Sequence, residues 1–377
     1  MRIALNARIL QAPRTGIGQY LVELVGALGD DPRLELELFH GWGWNRQLPP
    51  AALPGYRNWS ALAKQVPGAY RIRRLLEQQR FDRGLERNPV DLYHEPSLWP
   101  LEFAGPMAMT LHDLTHLHYP ETQPRDRLAE IERRVGPAVE RARLILTDSQ
   151  FVADEISRCY GVSSERLVVA PLGYAPRFHP RLPEELAPLL RAFDLQPGQY
   201  LICVGTLEPR KNLSLALRAY GRLPVPVRER FPLLIVGMAG WRREAFAAEL
   251  QNALADGHVR LLGYQSDDTL AGLLAGARML LFPSLYEGFG LPVLEAMASG
   301  VPVLLSPRAA LPEVAGVAGI YLDPDDEQGW SEAIVRLIED QREWQVYRTL
   351  GLRQAGHFSW QRCANITADA YRRVLGH

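Results

Sequence analysis

Glu287 and Glu295 stand eight positions apart and bracket Gly288-Phe289-Gly290-Leu291-Pro292, an arrangement able to grip an anionic, sugar-bearing ligand. Gly288 and Gly290 let a backbone approach a ligand closely, and Pro292 suits a first helical turn because its missing N–H costs that turn nothing. Unpaired amides of a helix beginning there attract phosphate through their N–H groups and dipole. The flanking carboxylates accept hydrogen bonds from hydroxyls. Upstream, Gly205-Thr206-Leu207-Glu208-Pro209-Arg210-Lys211-Asn212 sets adjacent cations after a glycine and before a helix start. They suit a leaving diphosphate, the plainer reading being a solvated pair. Cations at that position oppose the helix dipole, so an anion nearby would account for them.

Other loops carry reactive side chains. Thr110-Leu111-His112-Asp113 closes an apolar run, with His116 and His118 just beyond. An imidazole at a strand's carboxyl end hydrogen-bonds a substrate hydroxyl or shuttles a proton; a capped loop or a satisfied, partly buried histidine is the alternative. His112 is taken as ligand-facing and His116 and His118 are set aside, since no carboxylate or cysteine spacing completes a zinc site. Near the N-terminus, Arg14-Thr15-Gly16-Ile17-Gly18-Gln19-Tyr20 puts Gly16 and Gly18 at a strand-to-helix turn, suited either to phosphate approach or to tight backbone geometry alone. The full G-x-G-x-x-G is absent. Gly263-Tyr264-Gln265-Ser266-Asp267-Asp268 offers backbone groups and the Tyr264 ring to a nucleobase, and Asp267 reads equally as a helix cap. Asp323-Pro324-Asp325 reads as a turn rather than a metal-binding D-x-D. Cys159, Cys203 and Cys363 match no metal spacing and are expected to be buried, inert thiols.

The elements that must position these loops alternate along the whole chain. Short apolar runs rich in β-branched residues, separated by longer amphipathic segments, mark an α/β protein with parallel sheets and helical crossovers. In the first half, strands are expected near Ile3 to Asn6, Leu34 to Phe39, Met107 to Leu111, Leu144 to Thr147 and Leu167 to Ala170, with helices near Gln19 to Leu28, Arg127 to Ala142 and Phe151 to Tyr160. A proline-rich passage from Gly173 to Gln199 reads as an interdomain linker. A second doubly wound unit follows, with strands near Tyr200 to Val204, Leu233 to Val236, Val259 to Leu261, Met279 to Phe282, Val303 to Ser306 and Gly319 to Leu322, and a closing helix from about Ser359 to Leu375. A length of 377 residues suits two domains. With 47% hydrophobic and 23% charged residues and a net charge of -1, the chain reads as globular, with no bulk attraction to nucleic acid. The N-terminal run is broken by Asn6 and Arg8, and no apolar run approaches the ~20 residues that span a bilayer.

Gly205-Thr206, Arg210-Lys211-Asn212, Glu287-x7-Glu295 within Ser284-Leu285-Tyr286-Glu287-Gly288-Phe289-Gly290-Leu291-Pro292, and Ser299-Gly300-Val301-Pro302-Val303 together resemble the retaining GT-B glycosyltransferases of family 4. The resemblance runs from the N-terminal glycine loop to the closing Phe358-Ser359-Trp360 segment. It implies two doubly wound Rossmann-like domains facing a central cleft: an acceptor-side domain over 1–180, a donor-binding domain over 181–357, and a C-terminal helix over 358–377 crossing back to the first domain. It also implies roles. Glu295 would hold the ribose and Glu287 a hydroxyl of the donor sugar, Arg210 and Lys211 would clamp the diphosphate with amides of Gly288, Phe289, Gly290 and Leu291, Gly16 and Gly18 would serve the donor from the first domain, and His112 would contact the donor sugar. Many relatives carry an arginine where this chain has Thr206, so the clamp would rest on Arg210 and Lys211. Preorganised cations and helix amides stabilise the charge that develops on a leaving diphosphate, so no metal or cofactor is expected.

The run from Thr110 to Glu121 is similar to bacterial mannosyl- and rhamnosyltransferases of surface-polysaccharide assembly, which favours a GDP-activated mannose or D-rhamnose and a lipid-linked oligosaccharide acceptor, as in O-antigen synthesis. A UDP-sugar transferase, a GT-B sugar-nucleotide epimerase and a catalytically silent sugar-nucleotide binder are the alternatives. Between Lys64 and Arg87, Arg71, Arg73, Arg74, Arg80 and Arg83 alternate with Tyr70, Ile72, Leu75, Leu76 and Phe81. This is either a basic amphipathic helix that lies on an anionic membrane or a solvated helix face. The expected setting is cytoplasmic, peripheral to the inner face of the membrane, beside other glycosyltransferases of the pathway.

Overall fold

Short runs such as Ile3-Ala4-Leu5 and Leu280-Leu281-Phe282 are apolar on both faces, the pattern of strands covered by helices on either side of a parallel sheet. The computed structural model describes residues 1–11, 16–48, 69–122, 125–238, 240 and 246–376, with the side chains of 69–72 and 125–126 excepted. The chain divides into two units, one formed by Met1–Leu114, Asp126–Leu172 and Trp360–His377, the other by Thr115–Arg125 and Gly173–Ser359.

In the first unit the strands are β1 (Arg2–Asn6), β2 (Glu35–Phe39), β3 (Trp44–Asn45), β4 (Leu92–Glu95), β5 (Met107–Thr110), β6 (Leu144–Thr147) and β7 (Leu167–Val169), in the order β3-β2-β1-β4-β5-β6-β7. All pairs are parallel except β2 with β3. Helices Gly16–Gly29, Ala69–Arg87, Arg125–Arg141 and Gln150–Tyr160 cover the sheet. The helix Trp360–Leu375 packs along Gly16–Gly29 and buries Cys363, Ala364, Ala368 and Tyr371.

The second unit orders β8 (Leu201–Val204), β9 (Leu233–Val236), β10 (Val259–Gly263), β11 (Met279–Phe282), β12 (Val303–Leu305) and β13 (Gly319–Tyr321) as β10-β9-β8-β11-β12-β13, all parallel. The order reverses between β8 and β11, so the loops leaving their carboxyl ends diverge and open a crevice. The first unit reverses in the same way between β1 and β4.

Several expectations are corrected. The passage 173–199 contains the helix Pro183–Arg191, whose Leu186 and Leu190 are buried, so it is a packed element rather than a bare linker. Cys159 is exposed, unlike Cys203 and Cys363. Ser266 caps the helix Asp267–Ala275 by accepting from Thr269 N, while Asp267 pairs with Arg177 at 2.6 Å. Gly18 lies inside the helix Gly16–Gly29 rather than in the turn before it, and Arg14 and Thr15 lie outside the described residues. β4 was not anticipated, because half of Leu-Tyr-His-Glu is polar.

Candidate active site

Residues separated by about 76 positions in the chain meet in the second unit because β8 and β11 are neighbours in the sheet. β8 leads into Gly205 and the 3-10 turn Pro209–Lys211; β11 leads into Ser284–Gly290. Lys211 Nζ donates to Glu287 Oε1 at 2.5 Å, and Arg210 Nη1 donates to Glu287 Oε2 at 3.2 Å and to the Tyr286 carbonyl at 2.8 Å. Arg210 Nη2 pairs with Glu208 Oε1 at 2.7 Å. Leu285 N returns a hydrogen bond to the Arg210 carbonyl at 2.8 Å. Glu208 and Glu287 are each less than a tenth exposed, so two buried carboxylates and two cations neutralise one another, the only state in which such charges are tolerated away from water.

The titration of this cluster follows from its packing. Burial and then the neighbouring Arg210 push the Lys211 amine down, while Glu287 and Glu208 hold it up. Burial pushes Glu287 up, and Lys211 and Arg210 outweigh it, so the carboxyl sits below its ordinary range. A cavity of about 30 Å³ bordered by Gly205, Thr206, Lys211 and Ser284 reaches the cluster. Gly237 supports this loop from below: a Cβ there would lie 1.8 Å from the Gly205 carbonyl oxygen.

After Glu287 the chain turns into the helix Leu291–Ala298 through Gly290, whose φ of 106° is in the left-handed region, where a side chain is disfavoured. A Cβ at Gly290 would also stand 2.8 Å from Leu311 Cδ2. No side chain caps this helix, and Pro292 occupies its first turn. Its leading amides therefore keep their affinity for an anion. Phe289 is buried edge-on against Phe358, and Glu295 is buried on the same helix one turn further on.

His112 follows β5 in the first unit. Its Nδ1 pairs with Asp148 Oδ2 at 2.7 Å, its Nε2 lies 3.2 Å from the Pro96 carbonyl, and Tyr20 meets its ring edge-on at 4.6 Å. Burial works against charge on this imidazole, but Asp148 overrides it and raises the pKa. Tyr20 in turn bonds Thr110 Oγ1 at 3.0 Å, which bonds His94 Nε2 at 2.7 Å, whose Nδ1 meets the Tyr371 hydroxyl at 2.6 Å. The closing helix is thus wired to the strand end that carries His112.

Not every expected residue joins these clusters. Gly16 opens its helix, and among the described residues no heavy atom lies within 4 Å of where a Cβ would stand. Tyr264 follows edge strand β10, two strands from β8, with its ring half exposed. His116 is buried, and His118, set aside on sequence, packs with Tyr119 against Tyr286 next to Glu287. Asp323 Oδ1 accepts from Asp325 N, as a turn requires. Among the described residues, no group of three or more His, Cys, Asp or Glu converges as metal ligands. Glu208, Asp148 and Tyr20 were missed; the acid two positions before Arg210 was the available signal for Glu208.

The family model described as Glycosyltransferase Family 4 matches residues 15–178, and that described as Glycosyl transferases group 1 matches residues 198–340. The chain is 35% identical over 379 residues to O-antigen chain mannosyltransferase B of Escherichia coli, covering 99% of this chain and 100% of that one. Sucrose-phosphate synthase of Thermosynechococcus elongatus shares its fold with a TM-score of 0.76 at 19% identity, over 100% of this chain and 99% of the other. Anabaena HepE, solved in complex with UDP and glucose, does so with a TM-score of 0.73 at 17% identity, over 98% of each chain.

Proposed function

This chain belongs to glycosyltransferase family 4 and is a hexosyltransferase, and from that premise we propose that it moves mannose or D-rhamnose from a GDP-sugar to a lipid-linked glycan. The setting is assembly of O-antigen or a related surface polysaccharide. The whole-length relationship to an O-antigen chain mannosyltransferase supports mannose as the sugar and an O-antigen glycan as the acceptor. The observation that carries the donor site is the convergence of Lys211, Arg210 and Glu287 beside an uncapped helix start at Gly290.

In this reading Lys211 and the helix amides receive the diphosphate, Glu287 a sugar hydroxyl and Glu295 the ribose. The bond between the anomeric carbon and the diphosphate oxygen breaks, and one to the acceptor oxygen forms. The acceptor's proton passes to the departing phosphate oxygen. Developing negative charge meets cations and amides already in place, the usual source of the largest rate term, and no metal is assigned to the step. Attack is on the face the diphosphate leaves, with retention of configuration. A double displacement would need a carboxylate nucleophile, and Glu287 is unsuited because both of its oxygens are ion-paired. His112, oriented by Asp148, is assigned a substrate-facing role.

No described helix is long and apolar enough to cross a membrane. We place the protein at the inner face of the cytoplasmic membrane through Leu75 and Leu76, exposed on the helix Ala69–Arg87, and through Trp42, also exposed. Arg73, Arg74 and Arg80 of that helix are engaged by Glu77, the Pro100 carbonyl and the Trp42 ring, while Arg83 is exposed on the same helix, so apolar and basic contacts share the surface. The expected segment from Lys64 to Gly68 and the side chains of Tyr70, Arg71 and Ile72 lie outside the described residues.

The test is a panel of GDP-, UDP- and ADP-sugars with lipid-linked acceptors, reading nucleotide release and glycan mass. Release that depends on acceptor, with GDP-mannose or GDP-rhamnose preferred and a heavier glycan, is expected. Acceptor-independent conversion of the sugar would indicate an epimerase, and no release with any donor a silent binder; either would overturn the proposal.

A further inference from the structure

Arg210 and Lys211 are adjacent in sequence but differently employed. The Arg210 guanidinium is held by Glu208 at 2.7 Å on one side and by the Tyr286 carbonyl and Glu287 on the other, and its own carbonyl is held by Leu285 N. Lys211 Nζ, among the described residues, donates to Glu287 alone, passes over the Phe282 ring at 5.5 Å and borders the cavity beside Gly205 and Ser284. We propose that Lys211 alone is the ligand-facing cation, that Arg210 is a bracket which never touches the diphosphate, and that Glu208 is the positioning residue that keeps it so. The inference rests on the reading of this cluster as a sugar-nucleotide donor site.

The argument is one of exchange. Turning Arg210 toward a diphosphate would break three contacts and leave the buried Glu208 carboxylate without its cation, the costly way to open a buried ion pair. Lys211 has three donors and can hold Glu287 and phosphate oxygens together. Each oxygen of Glu287 keeps a lone pair for a sugar hydroxyl while the two cations fix the direction of the carboxylate. Glu208 therefore acts on the sugar through Arg210 and Glu287, and governs how the hexose is held rather than how tightly the diphosphate binds.

Calorimetric titration of GDP and of GDP-mannose, with kcat and KM, separates the roles in Glu208→Gln, Glu208→Asp, Arg210→Lys and Lys211→Ala. At a pH where Lys211 is charged, Glu208→Gln and Arg210→Lys are expected to bind GDP within about twofold of wild type, because Lys211 keeps its charge and its donors, and to lose kcat by roughly 10 to 10² through a misaimed sugar contact. Glu208→Asp should recover part of that loss, and Lys211→Ala should weaken GDP itself. Unchanged GDP affinity also certifies that the Glu208 and Arg210 variants are folded, and the circular-dichroism spectrum does so for Lys211→Ala. A parallel change in GDP and GDP-mannose affinity in Glu208→Gln, or full activity in that variant, would overturn the bracket. Wild-type protein that binds neither ligand would instead overturn the donor-site reading on which it stands.

Discussion

In the proposed function Lys211 concentrates the chemistry of this molecule in one amine whose charge is contested. Burial and Arg210 drive it toward neutrality, and Glu287 and Glu208 oppose them. Since the net direction is downward and the diphosphate needs a cation, kcat/KM, which reports the free enzyme, should fall on the alkaline side at a lower pH than an ordinary lysine near about 10.4 would give. Glu208→Gln removes an anion that raises this pKa, so its alkaline limb should move further down; a pH–rate profile of both proteins checks the sign. An upward or absent shift would mean that the limb belongs to another group. Lys211→Ala is expected to lower kcat by roughly 10² to 10³, as the loss of a preorganised electrostatic group does, with the fold retained and the thermal melt lowered, because the buried Glu287 carboxylate loses one of its two cations.

At the scale of elements, the site depends on two loops leaving adjacent strands, and Gly237 fixes the height of one of them. Gly237→Ala would drive a methyl into the Gly205 carbonyl and lift the turn that carries Lys211. A loss of stability of about 1–3 kcal/mol is expected, with turnover falling by roughly 10² from the misplaced cation; denaturant melts and steady-state kinetics measure the two separately. The loops themselves were legible in the sequence. Glycines, Pro292 and paired cations have local meanings, and strands such as Leu233–Val236 and Met279–Phe282 are unbroken apolar runs. β4 was not legible, because His94 and Glu95 are fully buried there by virtue of partners that the fold brings in: Tyr371 and Thr110 for His94, and Asn6, beside the neighbouring Tyr93 and Ser97, for Glu95. Glu208 escaped notice for the same reason, its role being visible only once Tyr286 and Glu287 are beside Arg210. A period or a spacing cannot announce a contact that closes across the fold.

At the scale of the whole molecule, the same winding appears twice, each sheet reversing its strand order once; in the second unit the loops carrying Lys211 and Glu287 leave the strands at the reversal, whereas in the first His112 follows β5, one strand beyond it. The closing helix belongs to the first unit, and Tyr371, wholly buried, joins it to His94. Tyr371→Ala should cost about 3–5 kcal/mol, the range for deleting a buried aromatic ring. Amide exchange should accelerate in β4 and β5 and not in β8 and β11; acceleration throughout would show that the two units unfold as one. The central claim, that this chain is a sugar-nucleotide-dependent hexosyltransferase of surface-polysaccharide assembly, is tested most directly by incubating it with GDP-mannose labelled in the sugar and a lipid-linked glycan acceptor. The account predicts label in the glycan for wild type and little for Lys211→Ala. Label that stays on the nucleotide with every acceptor, or transfers equally well in Lys211→Ala, would contradict it.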